Sequence, residues 1–451
     1  VYKRQRLGWS FYALDEGRDV GRVIFSANHG EPYVCDIARM RGATIEEDLL
    51  ARDFTINAMA MAIVEPGKAE LIDVTGGEAD LAAGVLRRAG PTSLADDPLR
   101  LLRAVRFVVD FDLTIETATA EQIRRMAATI KLATPERQRD ELWKTLSGAN
   151  PEQAMVTMQA LGLLGHLLPE VDGTVDVAQS FPHYTDVYNH TLLVVRNATL
   201  IRDWICAETV DDPPTSMWQA TLLPWRNNLR HQFLKPLSSG RRHVDWLIWH
   251  ALFHDVGKPV TRSTEFDPDG STRYHFYGHE EAGATMTTER LEALRFGRSE
   301  IALAQTVVDA HMRPHHLDAS FTHEGISRRA IYRFFRDVRC DQVDDPAGVD
   351  TLLVALADYQ AIHEAAVPPR WDEYLEHVGQ MLAYAYADDG LQQTRHAPLI
   401  DGHVLISELG LTPGPEIGVL LDAVAEAQAA GDVTTEAEAL ALAKSKLAKV
   451  S

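Results

Sequence analysis

The sequence predicts an α+β fold that is predominantly α-helical, with its strands near the beginning of the chain. Residues 11–14, 20–26 and 33–39 have strand patterns, and a turn signal stands at 28–31. Helical patterns follow one another with short links from Asp97 to about Leu167, another helical run covers roughly 244–388, and the end of the chain holds three short helices. These observations predict a small mixed region followed by a long helical one.

The composition excludes several classes of protein. With 451 residues, 45% of them hydrophobic, the chain is long enough for about two to four domains with sizeable cores. No apolar run approaches the roughly 18 residues of a membrane span. The net charge of −21 argues against indiscriminate nucleic-acid binding. The cysteines lie far apart, which is typical of a reducing cytoplasm and not of a disulfide framework: Cys35, Cys206 and Cys340.

One local segment could still bind RNA. Between Pro224 and Val244 the sequence has five cations and no Asp or Glu: Arg226, Arg230, Lys235, Arg241 and Arg242. A solvated loop is the commoner role for such a run of charges. Both interpretations remain open at this stage.

Residues 44–64 are predicted as one helix. Its apolar residues at helical spacing are Leu49, Ile56, Met59 and Ile63. This helix would carry Arg52, Asp53 and Asn57 on its leading turns. Residues 71–88 are predicted as a strand, a glycine turn, a short helix and a second strand.

A second charged helix is predicted to begin near residue 97. Asp96 and Asp97 suit its N-cap, and Pro98 suits its first position. Asp97 and Arg100 are three residues apart and share a face. The arginines that continue round that side are Arg103 and Arg106. A carboxylate beside a guanidinium can hydrogen-bond the edge of a nucleotide base, and the alternative is a surface ion pair worth roughly a few tenths of a kcal/mol.

Four segments, taken in order, resemble the successive motifs of class II tRNA nucleotidyltransferases and bacterial poly(A) polymerases. They are EEDLLARDFTINAMAM, LIDVTGGEADLAAGVLRR, DDPLRLLRAVRF and TPERQRDELWKTL. The resemblance covers roughly residues 20–170, and residues 398–421 are similar to the tail of those family members that carry an HD domain. It implies that the β-containing region is part of a polymerase-β-like head.

The resemblance also implies roles for individual residues. Asp97 and Arg100 would read the base of the incoming ATP or CTP. The remaining nucleotide-binding residues would be Arg52, Asp53, Asn57 and Arg103. The flexible element that helps to switch between nucleotides would contain Asp73, Gly76, Gly77 and Asp80, and the residues that brace the neck would be Glu136 and Arg137.

The chain departs from the family pattern at several positions. Ala51 stands where the family usually has an arginine, and Asp96 stands where it usually has a glutamate. Residues 1–50 contain neither the glycine-rich phosphate-binding turn nor the Asp-x-Asp pair that holds Mg²⁺ in nucleotide transfer. We therefore expect that an earlier part of the head is missing from this chain. Asp36, on the third strand, is a candidate for the family's third catalytic carboxylate.

Histidines and aspartates form a second pattern, with the spacing of a metal site. Neutral imidazole and carboxylate suit Mg²⁺, Mn²⁺, Fe, Ni or Zn sites with open positions. The pattern resembles the HD phosphohydrolase superfamily over roughly residues 183–365. That resemblance implies that Asp255 bridges two metals and that Lys258 meets a substrate phosphate. The implied ligands are His190, His254, Asp255, His279, His311 and Asp358, and the near-miss candidates are His275, His315 and His316.

The predicted architecture has four parts. A nucleotidyltransferase head spans residues 1–90, a helical neck and body 91–175, an all-α HD domain 176–390 with an insertion at about 205–243, and a helical tail 391–451. The predicted location is the cytoplasm, with no membrane and no obligate protein partner.

The predicted function is template-independent addition of nucleotides to RNA 3′ ends. CCA addition to tRNA from ATP and CTP is the first choice, with Mg²⁺ for nucleotide transfer. The HD domain would add phosphate-ester hydrolysis that depends on a divalent transition metal: Mn, Ni, Fe or Zn. The alternatives are a poly(A) polymerase, an A-adding enzyme, or an HD phosphohydrolase whose head acts only as an RNA-binding module.

Overall fold

The computed structural model describes residues 10–15, 19–25, 32–65, 67–211, 213–319, 325–339, 346–362, 370–386 and 398–450. Helices make up 61% of it, which confirms the predominantly α-helical α+β fold. Contacts divide the chain into two compact units, Val1–Arg125 and Met126–Ser451. Among the described residues, no helix is both long and apolar enough to cross a membrane. The turn predicted at 28–31 and Cys340 lie outside the described residues.

The described residues of the first unit form three small sheets and five α-helices. Its strands are β1 (Ser10–Asp15), β2 (Val20–Phe25), β3 (Tyr33–Ala38), β4 (Met59–Glu65), β5 (Lys68–Asp73), β6 (Val85–Leu86) and β7 (Thr114–Ile115). Its helices are α1 (Ile45–Leu50), α2 (Gly77–Ala82), α3 (Ser93–Asp96), α4 (Leu99–Phe111) and α5 (Thr117–Met126). Strands β1–β3 form an antiparallel sheet, β4 and β5 form a hairpin, and β6 pairs with β7 in parallel.

The single helix predicted for residues 44–64 is wrong. Helix α1 ends at Leu50, a 3₁₀ turn covers Thr55–Asn57, and β4 begins at Met59. Tertiary contacts override the helical spacing, because Phe54 is extended, fully buried and edge-on to the Phe107 ring at 5.6 Å between centroids. The apolar residues after position 58 therefore belong to a hairpin strand paired with β5.

The order predicted for residues 71–88 is confirmed. Strand β5 ends at Asp73, whose carboxylate accepts the backbone N–H groups of the next turn, including Gly76 at 2.8 Å and Glu78 at 2.9 Å. Gly76 has a φ of +79°, which favours glycine. A Cβ on Gly77 would lie 2.2 Å from the carbonyl oxygen of Thr55, so this turn requires two glycines for two different reasons.

The second unit is mainly helical. Its helices are α6 (Pro135–Leu146), α7 (Pro151–Ala160), α8 (Leu164–Leu167), α9 (Pro169–Asp172), α10 (Val187–Cys206), α11 (Met217–Leu222), α12 (Arg226–Phe233), α13 (Trp246–Phe253), α14 (Lys258–Thr261), α15 (His279–Ala293), α16 (Arg298–Ala310), α17 (Arg313–Ala319), α18 (Arg328–Asp337), α19 (Ala347–Ala361), α20 (Trp371–Tyr386), α21 (Gly402–Leu409), α22 (Pro415–Ala430) and α23 (Glu436–Val450). One antiparallel hairpin interrupts them, β8 (Ser263–Phe266) with β9 (Thr272–His275).

The core of the second unit is built around α13, which is buried along its whole length. Helices α10, α16 and α19 pack against it. Trp249 of α13 lies against Trp143 at 5.9 Å and against Phe296 at 5.1 Å between ring centroids. Burial of each such ring is worth about 1.5–3 kcal/mol relative to exposure. This aromatic cluster fixes the helix that leads directly into His254 and Asp255.

One local prediction in this unit is wrong, and one is confirmed. The hairpin β8–β9 lies inside the helical run expected over 244–388. The proposed insertion contains helices α11 and α12, whose apolar residues Trp218, Leu222, Leu229 and Phe233 are buried. The three tail helices are confirmed as α21, α22 and α23, which share a hydrophobic cluster of their own.

Most arginines of the segment considered for RNA binding are used inside the fold. Arg226 is buried and donates to the carbonyl oxygens of Trp204 and Ala207, and Arg230 donates to those of Ile205 and Ala207. Arg241 is paired with Glu300. The remaining arginine, Arg242, pairs with Asp245. These arginines therefore have a structural role that a solvated loop would not give them, and RNA contact by this segment stays a prediction.

The buried guanidinium of Arg226 predicts a specific stability effect. Arg226→Ala should lower the free energy of unfolding by about 1–3 kcal/mol, since it leaves buried carbonyl oxygens without donors. Lys235→Ala, at an exposed position of the same segment, is the matched control and should change stability by less than about 0.5 kcal/mol. Urea denaturation measures both. Equal stability of the two variants would contradict the structural role.

Candidate functional site

The predicted metal ligands of the second unit come together at the ends of helices. His190 lies in the first turn of α10, whose N-cap Asp186 accepts the N–H of Asn189 at 2.7 Å. His254 directly follows α13, and His279 begins α15 after Gly278, which has a φ of +76°. The remaining three predicted ligands are Asp255, next to His254, His311, directly after α16, and Asp358, on α19.

These side chains form two adjacent, buried groups. His190, His254 and Asp358 make one group, and Asp255, His279 and His311 make the other; within each, the ligand atoms lie within 4.8 Å of one another. Asp255 faces both groups, since its Oδ2 lies 3.1 Å from His254 Nε2 and its Oδ1 lies 3.4 Å from His279 Nε2. The structure thus places Asp255 where a bridging carboxylate would stand.

The imidazole rings are oriented by backbone carbonyls. The Nδ1 atoms of His254, His279 and His311 lie 2.8, 2.8 and 2.6 Å from the carbonyl oxygens of residues 251, 276 and 308, respectively. A carbonyl only accepts, so each Nδ1 carries a proton, and Nε2 is the nitrogen that each ring directs inward. His279 Nε2 and His311 Nε2 face each other at 3.3 Å. Converging lone pairs beside carboxylates fit a divalent cation.

The electrostatics of the site support the same interpretation. Burial disfavours the charge of Asp255, yet the charges of His254 and Lys258 hold its pKa well below the ordinary value. Burial similarly opposes ionisation of Asp358, while hydrogen bonds from His190 and His315 lower its pKa. Two buried carboxylates that remain ionised require cations nearby.

The protonation of the histidines follows from their surroundings. Burial, with the charges of His254 and His279, lowers the pKa of His311 to about 3. Burial also disfavours charge on His254, but the Asp255 carboxylate raises its pKa above the ordinary value. The buried His254 Nε2 atom has no hydrogen-bond partner among the described residues. A proton and a divalent cation therefore compete for this atom.

The glycine after Asp255 allows the two ligand groups to approach. A Cβ on Gly257 would lie 2.1 Å from the carbonyl oxygen of His279 and 2.6 Å from the backbone nitrogen of Gly283. Only glycine permits this contact between the turn after α13 and the first turns of α15. The next residue, Lys258, reaches back to Asp255 Oδ2 at 2.7 Å and to Gln179 Oε1 at 2.7 Å.

Sequence reasoning missed or underrated three residues at this site. His315, considered only as a near-miss ligand, lies 3.1 Å from Asp358 Oδ2. Gln179 holds Lys258, and the His183 ring lies edge-on to His190 at 4.7 Å between centroids. Nothing in the sequence spacing indicates the last two, because both lie in an irregular segment before α10.

The two remaining near-miss histidines belong to neither ligand group. His275 lies on β9, where its Nε2 is 2.8 Å from a carboxylate oxygen of Glu265 in the same hairpin. His316 lies on α17 and is exposed. Neither position therefore supports a role as a metal ligand.

In the first unit, the predicted nucleotide-binding residues form a separate group around the start of α4. Arg103 makes two hydrogen bonds to Asp53 Oδ2, at 2.9 and 2.7 Å. Asp97 accepts the N–H of Leu99 at 3.2 Å, but the N-cap of α4 is Pro98 and not Asp96 or Asp97 as predicted. Arg52 lies in an irregular turn, where it pairs with Asp48. Thus the structure joins the two predicted motifs, although Arg52, Asp53 and Asn57 do not lie on an α-helix.

The Arg100 guanidinium is buried and fixed by main-chain carbonyls. It donates from Nη1 to Ser93 and Arg52, at 2.7 and 3.0 Å, and from Nη2 to Ala51 at 2.8 Å. These bonds use three of its five protons, and within the described part of the chain no hydrogen bond is made by Nε–H or by the other Nη2 proton. A guanidinium fixed in this way can offer those protons to the acceptors of a nucleotide base.

Two further candidates lie outside this group. Asn57 ends the 3₁₀ turn and is exposed. Asp36 lies on β3, where the guanidinium of Arg22 binds it through two hydrogen bonds, at 2.7 and 2.9 Å. These hydrogen bonds lower the pKa of Asp36. Within the described part of the chain, no hydrogen bond or ion pair joins Asp36 to Asp97 or Arg100.

Comparison with known protein families gives three matches along the chain. Residues 21–87 match the Poly A polymerase head domain, residues 112–174 match the probable RNA and SrmB-binding site of polymerase A, and residues 219–359 match the HD domain. The order of these matches agrees with the motifs in the sequence.

Individual relatives and solved structures agree with this assignment. The CCA-adding enzyme of Thermotoga maritima, solved with tRNA, shares the fold with a TM-score of 0.54 at 21% identity, over 99% of this chain and 83% of that one. The CC-adding tRNA nucleotidyltransferase of Thermus thermophilus is 30% identical over 97% of this chain and 84% of its own length. The A-adding tRNA nucleotidyltransferase of Deinococcus radiodurans is 34% identical over 88% of this chain and 78% of its own length. The chain therefore belongs to the tRNA nucleotidyltransferase family.

Proposed function

We propose that this protein adds nucleotides to the 3′ end of tRNA, with Asp97 and Arg100 reading the base of the incoming ATP or CTP. The observation that carries the proposal is the fixed guanidinium of Arg100, whose three carbonyl bonds leave Nε–H and one Nη2 proton without a hydrogen bond among the described residues. Relatives named for A addition and for CC addition support the substrate class. We retain CCA addition as the first choice, and assays with each nucleotide alone distinguish it from A addition, CC addition and poly(A) synthesis.

The remaining residues of the first unit support nucleotide binding. Arg52 and Arg103 carry positive charge that suits a triphosphate, and Asp53 holds Arg103 in place. Asn57 would contact the sugar, and Asp36 would supply a carboxylate for Mg²⁺. When bound, Mg²⁺ neutralises phosphate charge and lowers the pKa of the attacking hydroxyl. Since the substrate is tRNA, we place the protein in the cytoplasm.

We also propose that the second unit hydrolyses phosphate esters. The converging Nε2 lone pairs and the central Asp255 favour this second function. His190, His254 and Asp358 would hold one divalent ion, His279 and His311 a second, and Asp255 would lie between them. Mn, Ni, Fe or Zn would supply Lewis-acid activation of water there. Lys258 would turn its ammonium towards the substrate phosphate. If the first unit only binds RNA, this hydrolysis is the main activity.

Replacement of Arg100 tests base reading. Arg100→Lys should keep a positive charge but remove the paired donors, and Arg100→Ala should remove both. In a full-length protein that includes the Asp-x-Asp pair, the ratio of CTP to ATP incorporation into tRNA should change by about 10- to 100-fold in each variant, as expected for loss of a bidentate base contact.

Arg106→Ala is the matched control for this test, because Arg106 lies on the same helix and pairs with Asp110. Its incorporation ratio should stay within about twofold of the parent. Urea denaturation of every variant separates loss of folding from loss of selectivity. Unchanged selectivity in a folded Arg100→Lys protein would refute base reading by this residue.

Replacement of Asp255 tests the metal centre. Asp255→Asn keeps the shape of the side chain but removes the charge that faces both ligand groups. Elemental analysis should show that most of the bound divalent metal is lost, with affinity lower by at least about 10-fold. Hydrolysis of bis-p-nitrophenyl phosphate should fall by about 100-fold or more.

His316→Ala is the control for histidine loss, since His316 is exposed on α17 and belongs to neither ligand group. It should retain both metal and activity. Full metal content and full hydrolysis in Asp255→Asn would overturn the assignment.

A further inference from the structure

We propose that Phe181, Tyr184 and Tyr277 form a base-stacking surface beside the metal centre, so that this site selects nucleotides over phosphate esters that lack a base. The inference deepens the proposed phosphohydrolase function, because it names groups that would recognise the rest of the substrate. It is carried by the position and exposure of three aromatic side chains on two loops that border the ligand groups.

The first loop, residues 179–184, is attached directly to the metal centre. Gln179 accepts a hydrogen bond from the Lys258 ammonium at 2.7 Å, and the His183 ring lies against the predicted ligand His190. Between these two anchors stands Phe181, and Tyr184 directly follows the second. Their rings meet edge to face at 6.0 Å between centroids. The two anchors therefore hold both aromatic rings close to the groups that would bind phosphate.

The second loop, residues 274–279, borders the same site and is joined to the first. The N–H of Tyr274 donates to Ser180 Oγ at 2.6 Å. The Lys258 ammonium lies over the Phe276 ring, with 5.5 Å between Nζ and the ring centroid. The carbonyl oxygen of Phe276 accepts the hydrogen bond from Nδ1 of the predicted ligand His279. Tyr277 stacks on His275 with 5.3 Å between ring centroids. The two loops that carry the aromatic side chains are thus joined to each other, and Lys258 contacts one residue of each loop.

The three rings of this surface are far more exposed than aromatic side chains usually are. Phe181 is 78% exposed, Tyr184 74% and Tyr277 80%. Large apolar rings gathered on two joined loops indicate a binding surface. A flat π face binds any nucleobase, whereas the adjacent Lys258 and the metal groups favour an anion. A ligand with an aromatic base at one end and a phosphate at the other, as in an RNA 3′ end, fits both features.

Calorimetry with two ligands tests the surface without requiring turnover. The first is adenosine 3′-phosphorothioate, which combines a base with a slowly hydrolysed phosphate, and the second is inorganic thiophosphate, which has no base. The parent protein should bind the adenosine compound at least about 10-fold more tightly, the effect expected of one stacked base. Phe181→Ala and Tyr277→Ala together should remove this preference while leaving thiophosphate affinity and metal content unchanged.

Two control variants distinguish stacking from general damage. Tyr277→Phe keeps the ring and should keep the preference. Phe266→Ala removes another exposed ring from the far end of the hairpin, where Phe266 pairs with Thr272, and should also keep it. An unchanged preference in the double alanine variant would overturn the stacking surface, as would a parent protein with no preference. A parent that binds with the preference but hydrolyses no phosphate ester would instead refute the phosphohydrolase function alone.

Discussion

The second unit depends on the way in which backbone carbonyls fix the protons of three buried histidines. His254, His279 and His311 each stand at a helix end, where Nδ1 can reach a carbonyl oxygen three residues earlier. The proton is thereby held on the outer nitrogen, and the lone pairs point towards Asp255. Such an arrangement is costly without a cation, so the surrounding helices must hold it rigidly. The tryptophan cluster behind α13 and the glycine contact at Gly257 provide that rigidity.

A related arrangement organises the first unit, with the charges reversed. Arg100 is a buried cation, and its burial is tolerated because carbonyl oxygens of residues 51, 52 and 93 surround it. This guanidinium fastens the turn that carries Asp53 to the start of α4. Desolvation by burial lowers the pKa of Arg100 from its ordinary value, yet the group stays charged at any physiological pH. In both units, hydrogen bonds to main-chain oxygens thus fix the orientation of a buried side chain and use part of its donors.

The grouping of the candidate metal ligands could be predicted from the sequence, whereas the backbone conformation between residues 51 and 64 could not. His254 and Asp255 could be predicted because adjacent donors at the end of an apolar helix have few other uses. The strand β4 could not, since its apolar residues fit a helical period, and only the burial of Phe54 against α4 sets the backbone. The arginines of α12 show that the burial of charged residues could not be predicted either. A charged segment looks the same in sequence whether its guanidinium groups face solvent or, as at Arg226, cap carbonyls that a helix end leaves unpaired.

The position of Lys258 gives the second unit a property that neither ligand group has alone. Its ammonium binds Asp255 on one side and Gln179, at the root of the aromatic loop, on the other. A change in charge near the Asp255 carboxylate would alter the hydrogen bond between Lys258 and Gln179. A displacement of the 179–184 loop would in turn alter the ion pair between Lys258 and Asp255. The two ends are therefore thermodynamically linked, and the linkage is reciprocal. Through this one ammonium, a charge bound at Asp255 and a group bound beside Gln179 would each change the affinity of the site for the other.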